Sequence, residues 1–255
     1  GGDGNDIYYV RDIGDLVSET NATASTGGTD TVYSYLSAYT LTANVENLRL
    51  LATGTANGTG NTLNNVLYAG VGSNVLDGAA GTDTVSYTYG VTDSTGVTVS
   101  LAVSSAQVTG SSGTDTLLSI ENLIGSSYAD KLTGNSSANT LTGGLGRDIL
   151  TGNGGNDVFD FNSLSEMGIG NATWDVITDF SPGDRIDLST LDANIVTPSN
   201  DAFTALIDGA ASFTAAGQLK VSGGVLYGNT DVDVDAEFAI ALTGVASLAL
   251  SDFIL

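Results

Sequence analysis

Aspartate and asparagine residues recur in the sequence at one position of a nine-residue frame. The frame is clearest in four consecutive units from Gly125, which read GSSYADKLT, GNSSANTLT, GGLGRDILT and GNGGNDVFD. Seven further units fit it, and the sixth residues of all eleven are Asp6, Asp15, Asp30, Asn65, Asn74, Asp83, Asp115, Asp130, Asn139, Asp148 and Asp157. Carboxylate and amide oxygens are ligands for hard cations, and Ca²⁺ takes roughly six to eight of them in a flexible shell. The recurring oxygens therefore indicate calcium binding.

An isolated Asp or Asn after glycine usually caps its own turn, and that interpretation stays open for each unit taken singly. Stacking of the units favours cation binding over turn capping. Two carboxylates about 5 Å apart at an effective dielectric near 20 repel by roughly 3 kcal/mol. The basic residues do not relieve this repulsion, since they are scattered singly along the chain, at Arg11, Arg49, Lys131, Arg147, Arg185 and Lys220. A calcium ion held by carboxylates and turn carbonyls would relieve it.

The composition excludes several classes of function. The 255 residues include 29 Asp plus Glu, 6 Lys plus Arg and no His or Cys, for a formal net charge of -23. Nucleic-acid binding needs clustered basic residues, and the usual triads, thiolate nucleophiles, zinc sites and disulfides need His or Cys. We therefore expect no catalytic site in this chain. We also expect no membrane span, because no apolar run approaches the roughly 18 residues that a span needs.

The same frame predicts the elements that position the oxygens. The eighth residues are all large and apolar: Tyr8, Val17, Val32, Leu67, Leu76, Val85, Leu117, Leu132, Leu141, Leu150 and Phe159. The first six residues of a unit form a tight, glycine-rich turn, and the last three form a short strand whose inward residue is the eighth. Each unit buries that side chain only against its neighbours. The fold class is therefore all-β, a parallel β-roll that forms a calcium-binding solenoid.

The frame resembles G-G-x-G-x-D-x-U-x, the calcium-binding nonapeptide of RTX (hemolysin-type) proteins, and GGDGNDIYY, GGLGRDILT and GNGGNDVFD match it best. The resemblance implies several calcium ions, a right-handed roll and ligands in the glycine-rich turns, here Gly143, Gly144, Gly146, Gly152, Gly154 and Gly155. It also implies that alternate units share a side, so that Asp130 lies beside Asp148, Asn139 beside Asp157 and Asn65 beside Asp83. Sites with Asn are expected to bind more weakly.

Two similar longer segments interrupt the frame, from Gly28 to Leu50 and from Gly113 to Gly125, and a bulkier third one runs from Gly81 to Gly110. They are interpreted either as enlarged coils of the solenoid or as binding loops. Their tyrosines, taken to be exposed, either stack on sugar rings or are ordinary strand residues; they are Tyr33, Tyr35, Tyr39, Tyr87 and Tyr89.

After Phe161 the repeat is expected to stop. The stretch WDVITDFSPGDRIDLS from Trp174 has the pattern of strand, turn and strand, and it is similar to the segment after the roll in serralysin-type secreted proteins. GNTDVDVDAEF resembles an acidic stretch near the end of that family, which would make Asn229, Asp231, Asp233 and Glu237 further metal ligands. A solvated acidic turn is the other interpretation, because Val234 replaces the usual glycine.

These observations predict three segments: a degenerate roll with larger coils in 1–124, a tandem roll in 125–161, and a C-terminal β-rich cap with a type I secretion signal region in 162–255. The acidic-then-apolar ending SDFIL resembles the terminus read by type I exporters, and the start without Met suggests the C-terminal part of something longer, whose N-terminal portion could be an enzyme. The function predicted is a calcium-binding module of a secreted, extracellular or cell-surface bacterial protein, which couples calcium binding to folding and export. The alternative is an adhesion, surface-layer or carbohydrate-binding module that recognises a glycan or cell surface or self-assembles.

Overall fold

The computed structural model describes residues 1–21, 26–170 and 172–255, and these form two compact units, Gly1–Ser126 and Ser127–Leu255. The unit predicted to begin at Ser25 has its first residue outside the described residues. Strands of the first unit are β1 Ile7–Val10, β2 Thr31–Ser34, β3 Ala38–Thr40, β4 Asn47–Leu50, β5 Asn57–Thr59, β6 Val66–Tyr68, β7 Val75–Asp77, β8 Thr84–Ser86, β9 Thr98–Ser100, β10 Gln107–Gly110, β11 Gly113–Leu118 and β12 Asn122–Ile124.

The second unit also consists of short strands, with two 3-10 turns at Leu164–Glu166 and Leu250–Asp252. Its strands are β13 Lys131–Thr133, β14 Thr140–Thr142, β15 Ile149–Thr151, β16 Val158–Asp160, β17 Asp175–Ile177, β18 Arg185–Asp187, β19 Ala205–Ile207, β20 Gln218–Ser222, β21 Val225–Asn229, β22 Phe238–Leu242 and β23 Phe253–Ile254. No residue that the structure describes lies in an α-helix, and none of its helical turns is long and apolar enough to cross a membrane.

In each unit, alternate strands of the chain join two parallel sheets. In the first unit one sheet has the order β1-β2-β4-β6-β8-β12, and the other has β3-β5-β7-β11 with β10 added antiparallel. The second unit has β14-β16-β18-β23 and β13-β15-β17-β22. This is the all-β parallel β-roll that the nine-residue frame predicted.

Eighth-position side chains form the core of the roll. Leu67, Leu76, Leu132, Leu141 and Phe159 are completely buried, and most other eighth residues are nearly so. The strand register places eighth-position residues beside one another, for example Leu132 beside Leu150 and Leu141 beside Phe159. Each short strand therefore contributes one apolar side chain to a core that its stacked neighbours complete.

The roll continues past Phe161, which corrects the expectation that the repeat stops there. Strand β17 pairs in parallel with β15, and β18 pairs in parallel with β16. The stretch from Trp174 is therefore no hairpin, because its two strands join different sheets. Its nonapeptides, GNATWDVIT from 170 and DFSPGDRID from 179, stay in the nine-residue frame, with Asp175 and Asp184 sixth and Ile177 and Ile186 eighth.

Residues 161–169, one nonapeptide long, leave the stack between these coils, because strand β17 takes the place beside β15 that this unit would otherwise occupy. The unit has Gly168, and no large apolar residue, at its eighth position.

The larger segments are enlarged coils and one antiparallel excursion. Strands β2 and β4 are neighbours in one sheet, and β3 between them in sequence lies in the other. The segment 87–110 instead leads to β10, which returns antiparallel to β11. The C-terminal cap is an antiparallel meander, β20-β21-β22, whose last strand pairs in parallel with β17.

Candidate calcium sites

Sixth-position residues on the same side of the roll are joined by one repeated hydrogen bond. The backbone N–H of each donates to the Oδ1 atom of the sixth residue in the next coil of that side. The donor-to-acceptor distances are Asp6 to Asp30 2.8 Å, Asn65 to Asp83 2.7 Å, Asn74 to Asp115 2.8 Å, Asp130 to Asp148 2.7 Å, Asn139 to Asp157 2.9 Å, Asp148 to Asp175 2.7 Å and Asp157 to Asp184 2.9 Å. The structure therefore brings together the three pairs that the resemblance implied, along with four more.

Several members of these ladders were missed by sequence reasoning. Glu46 and Glu121 take the sixth place in their coils, and their Oε2 atoms accept the N–H groups of Asp30 and Asp83 at 2.7 and 2.8 Å. A search limited to Asp or Asn passes over them, although Leu48 and Leu123 at the eighth positions give the same signal. Asp175 and Asp184 were missed because the unit before them has looped out.

Four carboxylate oxygens in the described part of the chain are buried without any hydrogen-bond partner. They are the Oδ2 atoms of Asp83, Asp148, Asp157 and Asp175. Each of these side chains uses its Oδ1 atom in a ladder and is at most 1% exposed to solvent. A buried charged oxygen without a partner costs far more than a hydrogen bond contributes, so these four atoms require a proton or a cation.

The pKa values of these buried carboxyl groups also indicate that their charged forms are disfavoured without a cation. Burial raises the pKa of Asp148 to about 8, and the neighbouring carboxylates Asp175, Asp130 and Glu166 add to the shift. Burial likewise raises the pKa of Asp175 to about 7 and that of Asp157 to about 6. Without a cation the Asp148 carboxyl keeps its proton at neutral pH, whereas Asp175 and Asp157 lose theirs near pH 7 and pH 6. A divalent ion would replace these protons.

Two other carboxylates of the ladders have both oxygens occupied by hydrogen bonds within the protein. Thr109 Oγ1 donates to Asp115 Oδ2 at 3.1 Å, in addition to the ladder bond on Oδ1. Burial still raises the pKa of Asp115 to about 6. Asp184, absent from the predicted set, receives the N–H and hydroxyl of Ser181 at 2.8 and 3.1 Å on its Oδ2 atom. These two carboxylates have less need of a cation than the four with free oxygens.

Asp15 is placed differently from the other sixth residues. It is exposed, and its Oδ2 atom accepts the N–H groups of Arg11 and Asp12 in its own turn at 2.7 and 3.0 Å. No strand forms in residues 11–20. The unit at Val10 therefore follows the turn-capping interpretation, and the structure does not bring Asp15 into a ladder.

Asparagine changes the hydrogen bonding within a coil. The Oδ1 atoms of Asn65 and Asn139 accept the N–H of the second residue in their own units, Asn61 and Asn135, both at 2.7 Å. Asn74 donates from Nδ2 to Ala56 O at 2.7 Å, and its Oδ1 atom is buried without a partner in the described residues. The amide side chain thus makes hydrogen bonds within the protein, and it has one oxygen where a carboxylate has two. An asparagine therefore offers fewer ligand atoms to an ion.

The glycines of the tandem turns lie close to these oxygens. A Cβ atom on Gly143 would stand 2.3 Å from Asp148 Oδ2, and one on Gly152 would stand 2.3 Å from Asp157 Oδ2. Gly146 and Gly155 have φ of 134° and 122° and abut the backbone of the neighbouring coil, and Gly144 also has positive φ. Gly154 has room for a side chain. The first-position glycines therefore keep the turn backbone against the free carboxylate oxygen.

Two further acidic groups lie outside the ladders' regular pattern. Asp6 and Asp30 form a cluster with Glu19, and the carboxylate oxygens of the three residues lie within 4.8 Å of one another. The nine-residue frame did not identify Glu19. Glu19 is already held by the hydroxyl of Tyr8 at 2.9 Å and by the N–H of Gly2 and Asn21.

Near the C-terminus, Asp231, Asp233 and Glu237 gather in the same way. The fourth predicted ligand, Asn229, turns inward and donates to Asp233 O and Asp235 O. The side chains of Asn229, Asp231 and Asp233 each accept the N–H two residues further on, as in a series of Asx turns.

The donor set fits calcium, because buried, partnerless carboxylate oxygens stand beside glycine turns that bring the backbone close. No curated protein sequence is significantly similar to the chain. A family model described as the RTX calcium-binding nonapeptide repeat, in four copies, matches residues 59–87 and 121–162. The matched repeat is a structural, calcium-binding module and carries no catalytic role. It covers the coils that hold Asp83, Asp148 and Asp157, and so these two stretches of the chain are RTX hemolysin-type repeats whose nonapeptides bind calcium and stack into a parallel β-roll.

Proposed function

We propose that this chain is a calcium-dependent folding module of a secreted protein, and that calcium outside the cell drives folding after export by a type I secretion exporter. Residues 1–124 and 125–161, with the two further coils that carry strands β17 and β18, supply the roll, and the rest of 162–255 supplies the cap and the export signal. The single observation that carries the proposal is the set of buried carboxylate oxygens without partners at Asp83, Asp148, Asp157 and Asp175. A chain with such a core is poorly stable without cations and becomes stable when cations bind.

The difference in calcium concentration between the inside and the outside of the cell determines where the chain folds. For a site with a Kd of about 10⁻⁴ M, millimolar calcium stabilises the folded state by about 1.4 kcal/mol, and submicromolar calcium contributes almost nothing. Several such sites supply a large part of the stability of an ordinary domain. The chain would thus stay unfolded and fit for export where calcium is scarce.

The C-terminal residues support the same order of events. In the folded chain Phe253 is 4% exposed and pairs with Ile186 in strand β23, and Leu188 N–H donates to Ile254 O. An exporter that reads the SDFIL ending needs those residues free. Recognition before folding satisfies this need, because the unfolded chain exposes the signal that the folded roll buries.

Circular dichroism of the full chain in EDTA and in millimolar calcium tests the proposal. We expect little β-structure in EDTA and a cooperative gain on adding calcium, with magnesium at the same concentration as the control for ionic strength. Equal β content with and without calcium would rule the mechanism out.

A second candidate function, binding of an extracellular carbohydrate, is favoured by a row of tyrosines and arginines on the first unit. Tyr9 and Tyr33 pack edge to face with centroids 5.3 Å apart, and the Arg49 guanidinium lies 3.6 Å from the ring centroid of Tyr89. Arg49 has no salt bridge within the described residues, and its Nε atom is buried without a partner there. Flat rings beside a free cation suit a sugar carrying a carboxylate.

Not every tyrosine predicted to be exposed takes part in this row. Tyr87 is completely buried, which corrects the expectation that it is exposed, and Tyr39 is half-buried. Tyr35 and Tyr89 are 43% and 52% exposed. The Arg11 guanidinium lies 5.4 Å from the ring centroid of Tyr35. The face available to a glycan therefore consists of Tyr9, Tyr33, Tyr35, Tyr89, Arg11 and Arg49.

A glycan array with the calcium-loaded chain tests the carbohydrate function. Binding of acidic polysaccharides that Arg49→Gln weakens and Lys131→Gln leaves intact would support it. No binding by the folded chain, or binding that both substitutions reduce equally, would favour the folding module alone.

A further inference from the structure

We propose that the C-terminal cap binds a small zwitterion, an α-amino acid with an apolar side chain, in a cavity on the antiparallel meander β20-β21-β22. The cavity has a volume of about 330 Å³. This site goes beyond the proposed functions, because it includes neither the calcium ladders of the roll nor the row of tyrosines and arginines on the first unit. The residues that line it and carry the argument are Phe213, Lys220, Tyr227, Val234, Asp235 and Ala236.

The meander brings a lysine and aromatic rings together at this cavity. Lys220 of β20 is paired with Tyr227 of β21, and directly opposed residues of antiparallel strands have their side chains on the same face of the sheet. Phe213 is 1% exposed, and the Lys220 Nζ atom lies 4.2 Å from its ring centroid. Tyr227 also packs against Trp174, with ring centroids 6.4 Å apart. The ammonium group is thus held beside an aromatic wall.

The Lys220 ammonium keeps donors for a ligand. Its Nζ atom donates to Ala211 O at 3.0 Å, and an ammonium group has three N–H donors. The described residues supply no carboxylate partner for it, although the chain has 29 Asp plus Glu. The carboxylate of a ligand matches the two remaining donors, because charge-assisted hydrogen bonds are the strong ones.

An unpaired negative charge lines the same cavity. Asp235 is exposed, and its backbone is fixed by two hydrogen bonds of 2.8 Å, from its N–H to Asp233 Oδ1 and from Asn229 Nδ2 to its carbonyl. No ion pair joins the Asp235 carboxylate to Lys220 or to another cation in the part of the chain that the structure describes. The ammonium group of a ligand supplies the missing counter-charge.

Two opposite charges that do not pair with each other select a ligand that carries both. A simple anion attracted by Lys220 is repelled by Asp235, and a simple cation attracted by Asp235 is repelled by Lys220. The formal net charge of -23 also repels anions at long range, whereas a zwitterion is neutral overall. A zwitterion therefore fits this cavity better than a ligand with one charge.

The volume and the apolar lining define the rest of the ligand. The cavity lies at the lower end of the roughly 300–1,000 Å³ range of small-molecule sites, which suits one small molecule. Tyr227, Val234 and Ala236 add apolar surface to the two charged groups. Leucine has a carboxylate, an ammonium group and an apolar side chain on a frame of this size.

Calorimetry with L-leucine and the folded, calcium-loaded chain tests the proposal. Leucinamide, which lacks the carboxylate, and N-acetyl-leucine, which lacks the ammonium group, are the matched ligands. We expect leucine to bind at one site and each analogue to bind about tenfold more weakly, because hydrogen bonds between charged groups contribute more than neutral ones. The emission of Trp174, the only tryptophan, should change with the same Kd through its contact with Tyr227.

Two variants assign the charges of the ligand to their partners. Lys220→Gln should weaken leucine binding and remove the preference for leucine over leucinamide. Asp235→Asn should weaken leucine binding and remove the preference for leucine over N-acetyl-leucine. Lys131→Gln, which changes an exposed lysine of β13, should bind leucine as the wild type does. Circular dichroism checks that all three variants fold alike.

The inference is wrong if the folded chain does not bind leucine, or if leucine and its two analogues bind equally well. It is also overturned if Lys131→Gln weakens leucine binding as much as Lys220→Gln does. Any of these results leaves calcium-dependent folding intact. Equal β content in EDTA and in calcium, in turn, would remove the proposed folding mechanism and leave the leucine site standing.

Discussion

The two units of the chain use the same ladder hydrogen bond but satisfy its carboxylates differently. In the second unit, Asp148, Asp157 and Asp175 each keep a buried oxygen without a partner, whereas Asp83 is the one aspartate of the first unit that does so among the described residues. The first unit substitutes Glu46 and Glu121 in its ladders and gives Asp115 a threonine hydroxyl. The difference teaches that one repeat geometry serves either as a cation site or as a structural polar core, depending on what meets the second carboxylate oxygen.

The largest expected effect is on removal of calcium. We expect hydrogen exchange in EDTA to expose the amides of β14 to β17 much more than those of β2 and β4, because the second unit holds most of the free oxygens. The measurement is peptide-resolved exchange of the full chain with and without calcium. Equal loss of protection in both units would show that they depend on calcium alike.

A large effect is also expected from pH in the absence of calcium. The folded-state pKa values of Asp148, Asp175 and Asp157 are raised to about 8, about 7 and about 6 from the ordinary 3.8. A raised pKa means that the folded state holds protons which the unfolded state has lost, so calcium-free stability should fall as pH rises from about 4 to about 8.

Urea unfolding in EDTA across that range measures this slope. Saturating calcium should remove the slope or reverse it, because the ion takes the place of the protons and its affinity rises with pH. A calcium-free stability that increases with pH over the same range would contradict the assignment of these groups as buried and unpaired.

A smaller effect is expected from neutralising one carboxylate in each unit. Asp157→Asn should remove about 1.4 kcal/mol of the stabilisation that millimolar calcium confers, the value of one weak site. Asp115→Asn should change the calcium-dependent part little, since Thr109 and the ladder already occupy both oxygens. Thermal unfolding of both variants with and without calcium gives the two differences, and a larger calcium effect at Asp115 would invert the comparison.

The smallest expected effect is a gain in affinity at a site that contains an amide. Asn139→Asp adds a carboxylate beside Asp157 and should tighten calcium binding by roughly threefold, about 0.7 kcal/mol. The equivalent change in the first unit, Asn65→Asp beside Asp83, serves as the matched comparison. Unchanged affinity in calorimetry for both variants would count against a role for these side chains as ligands.

Much of the fold could be predicted because the repeat is local. The sixth and eighth positions of a nonapeptide specify one turn and one inward side chain, as Asp148 and Leu150 illustrate, and stacking follows because a single unit cannot bury its apolar residue alone. The looped-out unit 161–169 could not be predicted with the same ease. Its length keeps the frame, and Gly168 at the eighth position does not distinguish it, because Gly58 holds the same place in strand β5 of the stack.

The candidate sites divide in the same way. The same residue type at the sixth position has three different environments. Asp15 caps its own exposed turn, Asp115 accepts a threonine hydroxyl, and Asp148 has a buried oxygen without a hydrogen-bond partner. The three residues differ in the contacts that they make with other parts of the chain. Asp15 makes no ladder hydrogen bond, Asp115 accepts the Thr109 hydroxyl, and the N–H of Asp148 donates to Asp175.

The repeat pattern alone specifies the chemistry of this protein and the form of its fold. A nine-residue period with an oxygen ligand and one apolar residue per unit leads to a stacked roll and to calcium, because carboxylates in register require a cation. Which carboxylates keep that requirement depends on the assembled stack, since a long-range hydroxyl, a glutamate or a skipped coil changes what each oxygen meets. Burial and hydrogen bonding are properties of the assembled stack, and they distinguish Asp175 from Asp184 where the repeat frame treats them alike.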